Sequence, residues 1–125
     1  MPSFSEESES KLATCDRRLQ FLMRKAIARS PIDFTILCGF RDKEAQEAAF
    51  LAGTSEKHWP IGNHNRMPSL AVDIAPYPID WNDERRFEAL AHYILGVANG
   101  MDLQVKWGGF WKKPHDMPHF EVQEV

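Results

Sequence analysis

Residues 62–76 read GNHNRMPSLAVDIAP, and this segment decides how the chain folds. Its second half, from Leu70 to Ala75, alternates apolar and small residues in the manner of a half-buried β-strand. The carboxylate of Asp73 interrupts that apolar run, and a buried carboxylate is costly unless a positive group meets it. His64 lies nine residues upstream, in the polar half of the segment. The two residues fit a metal site, although backbone amides that hold the carboxylate would explain them as well.

A second cluster of polar side chains stands near the C-terminus, where residues 115–121 read HDMPHFE. The proline before His119 removes a backbone donor and opposes a helix, so Asp116 and His119 would converge through a turn that leads into a strand. His64, Asp73 and His119 match the three protein ligands of a catalytic zinc, whose fourth position is left for water. Asp116 would then be free to act on that water. A surface aspartate and a histidine at the edge of the core are the alternative.

Length and composition indicate a single folded domain over residues 1–125. The net charge of −3 argues against a nucleic-acid-binding protein, which would present a basic face. The chain has neither a long apolar run nor a secretory signal, so we expect no stable membrane insertion and a cytoplasmic location. Cys15 and Cys38 fit small core residues better than a disulfide framework.

Apolar periodicity and turn residues predict an alternation of helices and strands. Residues 1–9 are typical of a flexible polar arm, and one uninterrupted helix would follow as far as Arg29. Asp42 is well placed to cap the second helix, with Ala45, Ala48, Ala49 and Leu51 on its packing side. The order is helix, strand, helix, strand, helix, strand, strand, at about residues 10–29, 34–38, 43–52, 70–75, 83–98, 103–107 and 119–123. This order indicates an α+β fold with helices packed on a small, largely antiparallel sheet.

The segment over residues 54–68 is long for a loop inside a compact domain, and such loops are often functional. Arg41 stands at the preceding strand-to-helix junction, a common place for a side chain directed into a cleft, and Gln46 follows about one helical turn later. The loop carries five polar or aromatic side chains of interest, namely Lys57, His58, Trp59, His64 and Arg66.

Four blocks of the sequence stand in the order seen in a known family, namely Gly39-Phe40-Arg41, His64 with Ala71-Val72-Asp73, Trp107-Gly108-Gly109-Phe110-Trp111 and Asp116-Met117-Pro118-His119-Phe120-Glu121. In these blocks the chain resembles the zinc-dependent M15 peptidases, and among them the phage endolysins that act as L-alanyl-D-glutamate endopeptidases. The similarity spans roughly residues 10–123. It implies the Hedgehog/DD-peptidase-like form of the α+β fold and zinc as the cofactor.

The resemblance also implies a role for each residue of the candidate metal site. His64, Asp73 and His119 would be the zinc ligands, and Asp116 would be the general base on the attacking water. In the short family pattern the first histidine and the aspartate usually stand closer together, whereas here they are nine residues apart. His58 therefore remains the alternative to His64 as the first ligand.

Further residues would complete the site around the metal. By resemblance, Arg41 would face the substrate and hold a carboxylate or the polarised carbonyl oxygen. We expect Gln46 and Trp107 to bind substrate with it. Trp59, Trp107 and Trp111 could line the substrate groove, although packing would explain these tryptophans equally well. Glu121 is within reach of a ligand histidine and could accept a hydrogen bond from its second ring nitrogen, with a solvent-facing strand glutamate as the alternative. His115 adjoins the site.

The implied function is cleavage of the L-Ala–D-Glu bond in the peptidoglycan stem peptide by a phage endolysin during host lysis. The alternatives are a D-Ala-D-Ala carboxypeptidase or dipeptidase of the same family and a non-catalytic zinc-binding module. A metal-dependent nuclease, suggested by His64-Asn65, is disfavoured by the acidic net charge. We expect a monomer without a separate cell-wall-binding domain, as in single-domain lysins of phages that infect Gram-negative hosts. It would wait in the host cytoplasm until a holin-type lesion lets it reach the periplasm and the wall.

Overall fold

Four short strands form one antiparallel sheet in the computed structural model, which describes residues 3–55, 57–112 and 116–124. The strands are β1 (Phe34–Cys38), β2 (Ala71–Pro76), β3 (Lys106–Trp107) and β4 (His119–Glu121), in the spatial order β1-β2-β4-β3. The helices are α1 (Glu6–Leu12), α2 (Arg17–Arg29), α3 (Lys43–Leu51) and α4 (Glu84–Gly100), and two 3-10 turns span Asn63–Asn65 and Gly108–Phe110. The predicted α+β class with an antiparallel sheet is confirmed.

Strand β2 is the centre of the sheet because both of its edges are paired. It pairs with β1 on one side and with β4 on the other, and most of its residues are buried. The register sets Asp73 opposite His119 on β4 and opposite Cys38 on β1, where the pairing shifts at a bulge. The register of β2 therefore brings together two polar residues that stand 46 positions apart.

The hydrophobic core lies where α2 and α4 pack against each other and against the sheet. Each helix has one apolar stripe at three- and four-residue steps, which is the spacing that puts side chains on one helical face. The hydroxyl of Tyr93 on α4 donates a hydrogen bond of 2.7 Å to the carbonyl of Ala26 on α2 and joins the two helices at one point. The largest fully buried side chains of this core include Leu12, Leu19, Leu22, Met23, Ile36, Val72, Ile74, Leu90, Ile94, Phe120 and Val122. Among the described residues α4 is the longest helix, with 17 residues, and none of the helices combines the length and hydropathy of a membrane span.

The N-terminal segment differs from the predicted polar arm. Helix α1 begins at Glu6 because the hydroxyl of Ser5 accepts a hydrogen bond of 3.1 Å from the backbone N–H of Ser8. The side chain of Ser8 is buried and hydrogen-bonds Thr35 on β1 at 2.9 Å. Residues 6–9 are thus helical and tied to the sheet, so the expectation of a flexible arm over 1–9 is wrong for this part.

The predicted first helix is also divided into two. Ser69 accepts the N–H of Asp16 at 2.8 Å and donates its own N–H to the carbonyl of Thr14 at 2.9 Å, which pulls this stretch out of a helical path. Helix α2 then restarts because the carboxylate of Asp16 accepts the N–H of Arg18 at 2.9 Å. The apolar spacing continues through the break, since Cys15 is itself buried, and therefore conceals it.

Helix α3 has its bounds close to those predicted, but its buried side differs. Ala45, Ala48 and Leu51 are exposed, Leu51 to 83%, whereas Gln46 is only 1% exposed. The buried side differs because α3 borders a cleft beside the sheet and lies outside the main core. The buried residue that attaches α3 to the rest of the protein is therefore the polar Gln46.

Candidate metal centre

Three side chains from separate elements meet at one point beside β2. His64 lies in the 3-10 turn Asn63–Asn65, Asp73 lies in the middle of β2, and His119 begins β4. His64 Nε2 and His119 Nδ1 each lie 3.2 Å from Oδ1 of Asp73. One ligand atom from each residue lies within 4.8 Å of the others, and both histidines are 6% exposed. The three residues predicted as ligands therefore form a group that can hold a metal ion.

The outer nitrogen of each imidazole is fixed by an acceptor of its own. His64 Nδ1 donates to the carbonyl oxygen of Gly39 at 2.7 Å, and His119 Nε2 donates to Oε1 of Glu121 at 2.7 Å. The inner nitrogens then face the carboxylate of Asp73, and each can hold either a proton or, as a neutral imidazole, a metal ion there. Lone pairs and a carboxylate repel one another unless a cation lies between them, and tetrahedral zinc ligands stand roughly 3.3 Å apart, close to the spacing found here. The residues therefore fit a bound divalent metal ion.

The electrostatics of the group favour positive charge. Burial, the largest effect on His64, would lower its pKa, but the charge and hydrogen bond of Asp73 outweigh it and raise the pKa to about 10. The pKa of His119 is raised in the same way, against burial, by its bonds to Asp73 and Glu121. Burial would raise the pKa of the Asp73 carboxyl, yet the two histidines hold it below its usual range. Protons and a metal ion therefore compete for the same three atoms.

Asp116 lies beside the metal group of His64, Asp73 and His119 but is not one of its three ligand residues. Its Oδ2 lies 3.7 Å from His119 Nδ1, and its side chain is 40% exposed to the cleft. Burial, followed by the charge of Asp73, raises the pKa of its carboxyl. Its backbone is held on both sides, since its N–H donates to the carbonyl of Gly108 and its carbonyl accepts the N–H of His119, each at 3.1 Å. A Cβ on Gly108 would overlap the Asp116 carbonyl oxygen, so this approach requires glycine.

Arg41 follows β1 and reaches the other oxygen of the central carboxylate. Its Nη2 lies 3.7 Å from Oδ2 of Asp73, and its Nη1 donates to Oε1 of Gln46 at 3.0 Å. Its backbone N–H donates to the carbonyl of His64 at 2.7 Å. The guanidinium is thus held at the edge of the metal group and borders the cleft.

Gln46 does not present a free polar atom for substrate. Its Nε2 donates to Ser55 Oγ at 2.9 Å and to the carbonyl of Lys57 at 2.6 Å, and its Oε1 accepts from Arg41 and Asn65. These four bonds use the full hydrogen-bonding capacity of an amide. Gln46 therefore borders the cleft with its amide engaged within the protein, where it holds Arg41 and the loop after α3.

Trp107 also differs from its expected place. It is 4% exposed, its Nε1 donates to the carbonyl of Met117 at 2.7 Å, and it does not border the cleft. Trp111 borders the cleft instead, with its ring centroid 5.1 Å from that of His119. Trp107 thus packs in the core, and Trp111 is the tryptophan of the described lining.

His58 lies outside the ligand group. It is exposed, its Nδ1 lies 3.1 Å from Oε2 of Glu47, and its ring lies against that of Phe50 with centroids 3.6 Å apart. The histidine that joins Asp73 is His64. His115, expected to adjoin the site, lies outside the described residues.

The sequence interpretation missed Asn65 as a support of the site. Its Nδ2 donates to the carbonyl of Arg41 at 3.0 Å and to Oε1 of Gln46 at 2.9 Å, while its Oδ1 accepts the N–H of Gly62 at 3.0 Å. An amide next to a ligand histidine was the available signal. No sequence signal could have identified the Gly39 carbonyl that binds His64, because every residue has a backbone carbonyl.

The group lies at the floor of an open cleft of about 720 Å³. The side chains that border it within the described residues include three carboxylates and two cations. The lining is Arg41, Gln46, Gly53, Thr54, Ser55, Lys57, Gly62, Asn63, His64, Asp73, Trp111, Asp116, His119 and Glu121.

Comparison with known proteins agrees with this arrangement. The family model described as phage L-alanyl-D-glutamate peptidase matches residues 2–124. An L-alanyl-D-glutamate peptidase of Escherichia phage T5 is 35% identical over 124 residues, which cover 96% of this chain and 88% of that protein. The crystal structure of the L-Ala D-Glu endopeptidase ChiX of Serratia marcescens superposes with a TM-score of 0.82 at 27% identity, covering 96% of this chain and 89% of that one. The chain belongs to the phage L-alanyl-D-glutamate peptidase family.

Proposed function

We propose that this member of the family is a zinc-dependent endopeptidase that hydrolyses the L-Ala–D-Glu bond of peptidoglycan stem peptides during host lysis. The observation that carries the proposal is the convergence of two imidazole nitrogens on the Asp73 carboxylate at the floor of an open cleft. Imidazole nitrogens suit zinc better than magnesium or calcium, which prefer oxygen ligands. When bound in such a site, zinc lowers the pKa of a water from near 16 toward about 7 and polarises a carbonyl group.

Asp116 is the general base of this proposal. It borders the cleft next to His119 without being needed as a ligand, so its carboxylate is free to take the proton of the attacking water. The same group can then deliver the proton to the leaving amine.

Arg41 stabilises the negative charge that develops on the carbonyl oxygen. Gln46 and the backbone bond to His64 fix the guanidinium beside the metal group before substrate binds. A donor oriented in advance toward a developing oxyanion contributes on the order of 3 kcal/mol to transition-state stabilisation. Asp73, which faces Arg41 at 3.7 Å, limits how far the guanidinium can turn away.

The remaining expectations concern where the enzyme acts. We propose that it works as a monomer on the stem peptide and binds no nucleic acid, in keeping with the net charge of −3. It would reach the wall from the host cytoplasm through a holin-type lesion, which suits its membership of a phage peptidase family.

The test combines metal content with product analysis. Metal-stripped protein is reloaded with zinc and incubated with purified peptidoglycan, and the products are identified by mass spectrometry. A new N-terminal D-Glu supports the proposal, whereas loss of terminal D-Ala would indicate the carboxypeptidase reaction, and zinc binding without any cleavage would indicate a non-catalytic module.

The ligand assignment is tested with two histidine variants. His64→Ala removes one of the three ligands, so we expect the zinc content to fall from one ion per chain to near none. His58→Ala is the matched control, because this exposed histidine lies against Phe50 outside the group, and we expect it to keep the full content. The reverse result would overturn the assignment.

A further inference from the structure

Lys57 is the cation of the cleft that the proposed mechanism does not use. The other cation on the described lining is Arg41, and its guanidinium is already engaged by Gln46 and Asp73. No carboxylate of the described residues forms an ion pair with the Lys57 ammonium. An unpaired cation in a cleft that must receive a peptide is available to bind an anionic group of that peptide.

The main chain at Lys57 is held more firmly than its exposure suggests. Its carbonyl accepts the Nε2–H of Gln46 at 2.6 Å, and its N–H donates to Ser55 Oγ at 3.2 Å. Gln46 is itself 1% exposed and saturated with hydrogen bonds. Helix α3 thus anchors the backbone, and the flexible stem of the lysine extends from a fixed point.

The Lys57 ammonium also acts on the floor of the cleft. The pKa of the Glu121 carboxyl is lowered chiefly by its hydrogen bond from His119, and the charge of Lys57 adds to this effect. Glu121 holds the outer nitrogen of the ligand His119. The lysine charge therefore lies within electrostatic range of a residue that supports the metal group, and both residues border the same cleft.

The substrate of the proposed reaction carries a free carboxylate that could pair with Lys57. A glutamyl residue has two carboxyl groups and only one of them can continue a peptide chain, so the residue on the leaving side of an L-Ala–D-Glu bond keeps one free carboxylate. The described lining has three carboxylates and two cations, and a divalent ion at the metal group makes its total charge positive. The cleft thus favours an anionic substrate, and the carboxylate needs a partner that is not already engaged.

We propose that Lys57 binds the free carboxylate of the D-glutamyl residue on the leaving side of the scissile bond and thereby determines specificity for glutamate there. The inference rests on the proposed peptidase function. The side chain is exposed to solvent, so the ion pair contributes a moderate preference and leaves the chemical step itself to other residues.

The experiment compares two synthetic stem peptides with the zinc-loaded full chain. The peptides differ in one group, since the free carboxylate of the D-glutamyl residue is replaced by its primary amide in the second. For the wild type we expect kcat/KM to favour the carboxylate by about tenfold, the size of one charge-assisted hydrogen bond. In Lys57→Met we expect the ratio to fall to about one, mainly through a higher KM for the carboxylate peptide, whereas Lys57→Arg should retain most of the preference.

Lys43→Met is the matched control, because Lys43 is an exposed lysine of α3 that does not border the cleft. It should keep the wild-type ratio. Two results would overturn the role of Lys57 and leave the proposed function standing. One is a carboxylate preference that survives in Lys57→Met, and the other is a wild type that cleaves both peptides equally well. A zinc-loaded wild type that cleaves neither peptide would instead overturn the proposed function and this inference with it.

Discussion

At the scale of single residues, Asp116 offers the sharpest test of the proposed mechanism. Asp116→Asn keeps the shape of the side chain but cannot accept the proton of the attacking water. We expect kcat on a stem peptide to fall by about 10²–10⁴. The zinc content should stay at one ion per chain, because His64, Asp73 and His119 are untouched.

Kinetics and metal analysis of the same preparation measure both quantities. Asp33→Asn is the control, since Asp33 is an exposed aspartate that precedes β1 and does not border the cleft. It should retain wild-type kcat. A kcat for Asp116→Asn close to that of Asp33→Asn would show that another group takes the proton.

Single residues also show how far the site could be predicted from the sequence. His64, Asp73 and His119 were recognisable because an imidazole or a carboxylate in an apolar setting has few roles that offset the cost of burial. Gln46 and Trp107 were not assignable, because their roles depend on whether their polar atoms are free. Whether a polar atom is free depends on partners that local sequence does not identify, such as the Met117 carbonyl that Trp107 binds.

At the scale of the elements, the end of β1 connects the first helix to the metal group. The carbonyl of Gly39 accepts a hydrogen bond from the ring Nδ1 of His64, and a Cβ on Gly39 would overlap the hydroxyl of Thr14 and the carbonyl oxygen of Lys11. One of these atoms is backbone and cannot turn aside, so Gly39→Ala must move the strand end. We expect a loss of about 1–3 kcal/mol in the free energy of unfolding. Because the shifted carbonyl no longer orients the ligand ring, zinc affinity should fall by about 10-fold or more.

Urea unfolding of the metal-free protein and competition with a chelator measure these two effects. Gly96→Ala is the control, because a Cβ at this exposed position of α4 meets no atom within 4 Å. It should leave zinc affinity unchanged and raise stability by up to about 1 kcal/mol, as expected for alanine in a helix. Unchanged zinc affinity in Gly39→Ala would contradict the role of the strand end.

The elements that the sequence predicts well are those fixed by local chemistry. The bounds predicted for β1 match those found, and Asp42 caps α3 as predicted. The division between α1 and α2 was hidden because it depends on Ser69, which stands far along the chain and pairs with the residues around Cys15. The spacing of apolar residues along a helix cannot predict a contact with a residue more than 50 positions away.

At the scale of the whole molecule, alternation of apolar residues predicts an antiparallel sheet but leaves its strand order open. The order β1-β2-β4-β3 depends on the pairing of Asp73 with His119, and a period of two residues specifies neither partner nor register. The same pairing builds the metal group, so the sheet and the site are formed together. Metal binding is therefore expected to stabilise the entire fold.

The sign of the pH dependence follows from the histidines. In the metal-free protein the pKa of His64 is raised from 6.5 to about 10, so its contribution to stability is fully present below pH 6.5 and is lost as the pH rises through about 10. Zinc requires the same imidazole without its proton, so zinc binding strengthens over this range. The lowered pKa of Asp73 makes its contribution depend on pH only in strong acid, below this window.

We therefore expect the difference in Tm between zinc-loaded and metal-free protein to widen as the pH rises from 6 to 8.5. At a free zinc concentration 100 times the Kd, binding contributes about 2.7 kcal/mol, which corresponds to roughly 10 °C for a chain of this size. Thermal unfolding in zinc buffers at a series of pH values measures the difference. His64→Ala should abolish both the difference and its pH dependence, because the competing imidazole and the metal ligand are the same side chain, whereas His58→Ala should retain both. A difference that is constant with pH, or that persists in His64→Ala, would mean that zinc stabilises the fold from another place.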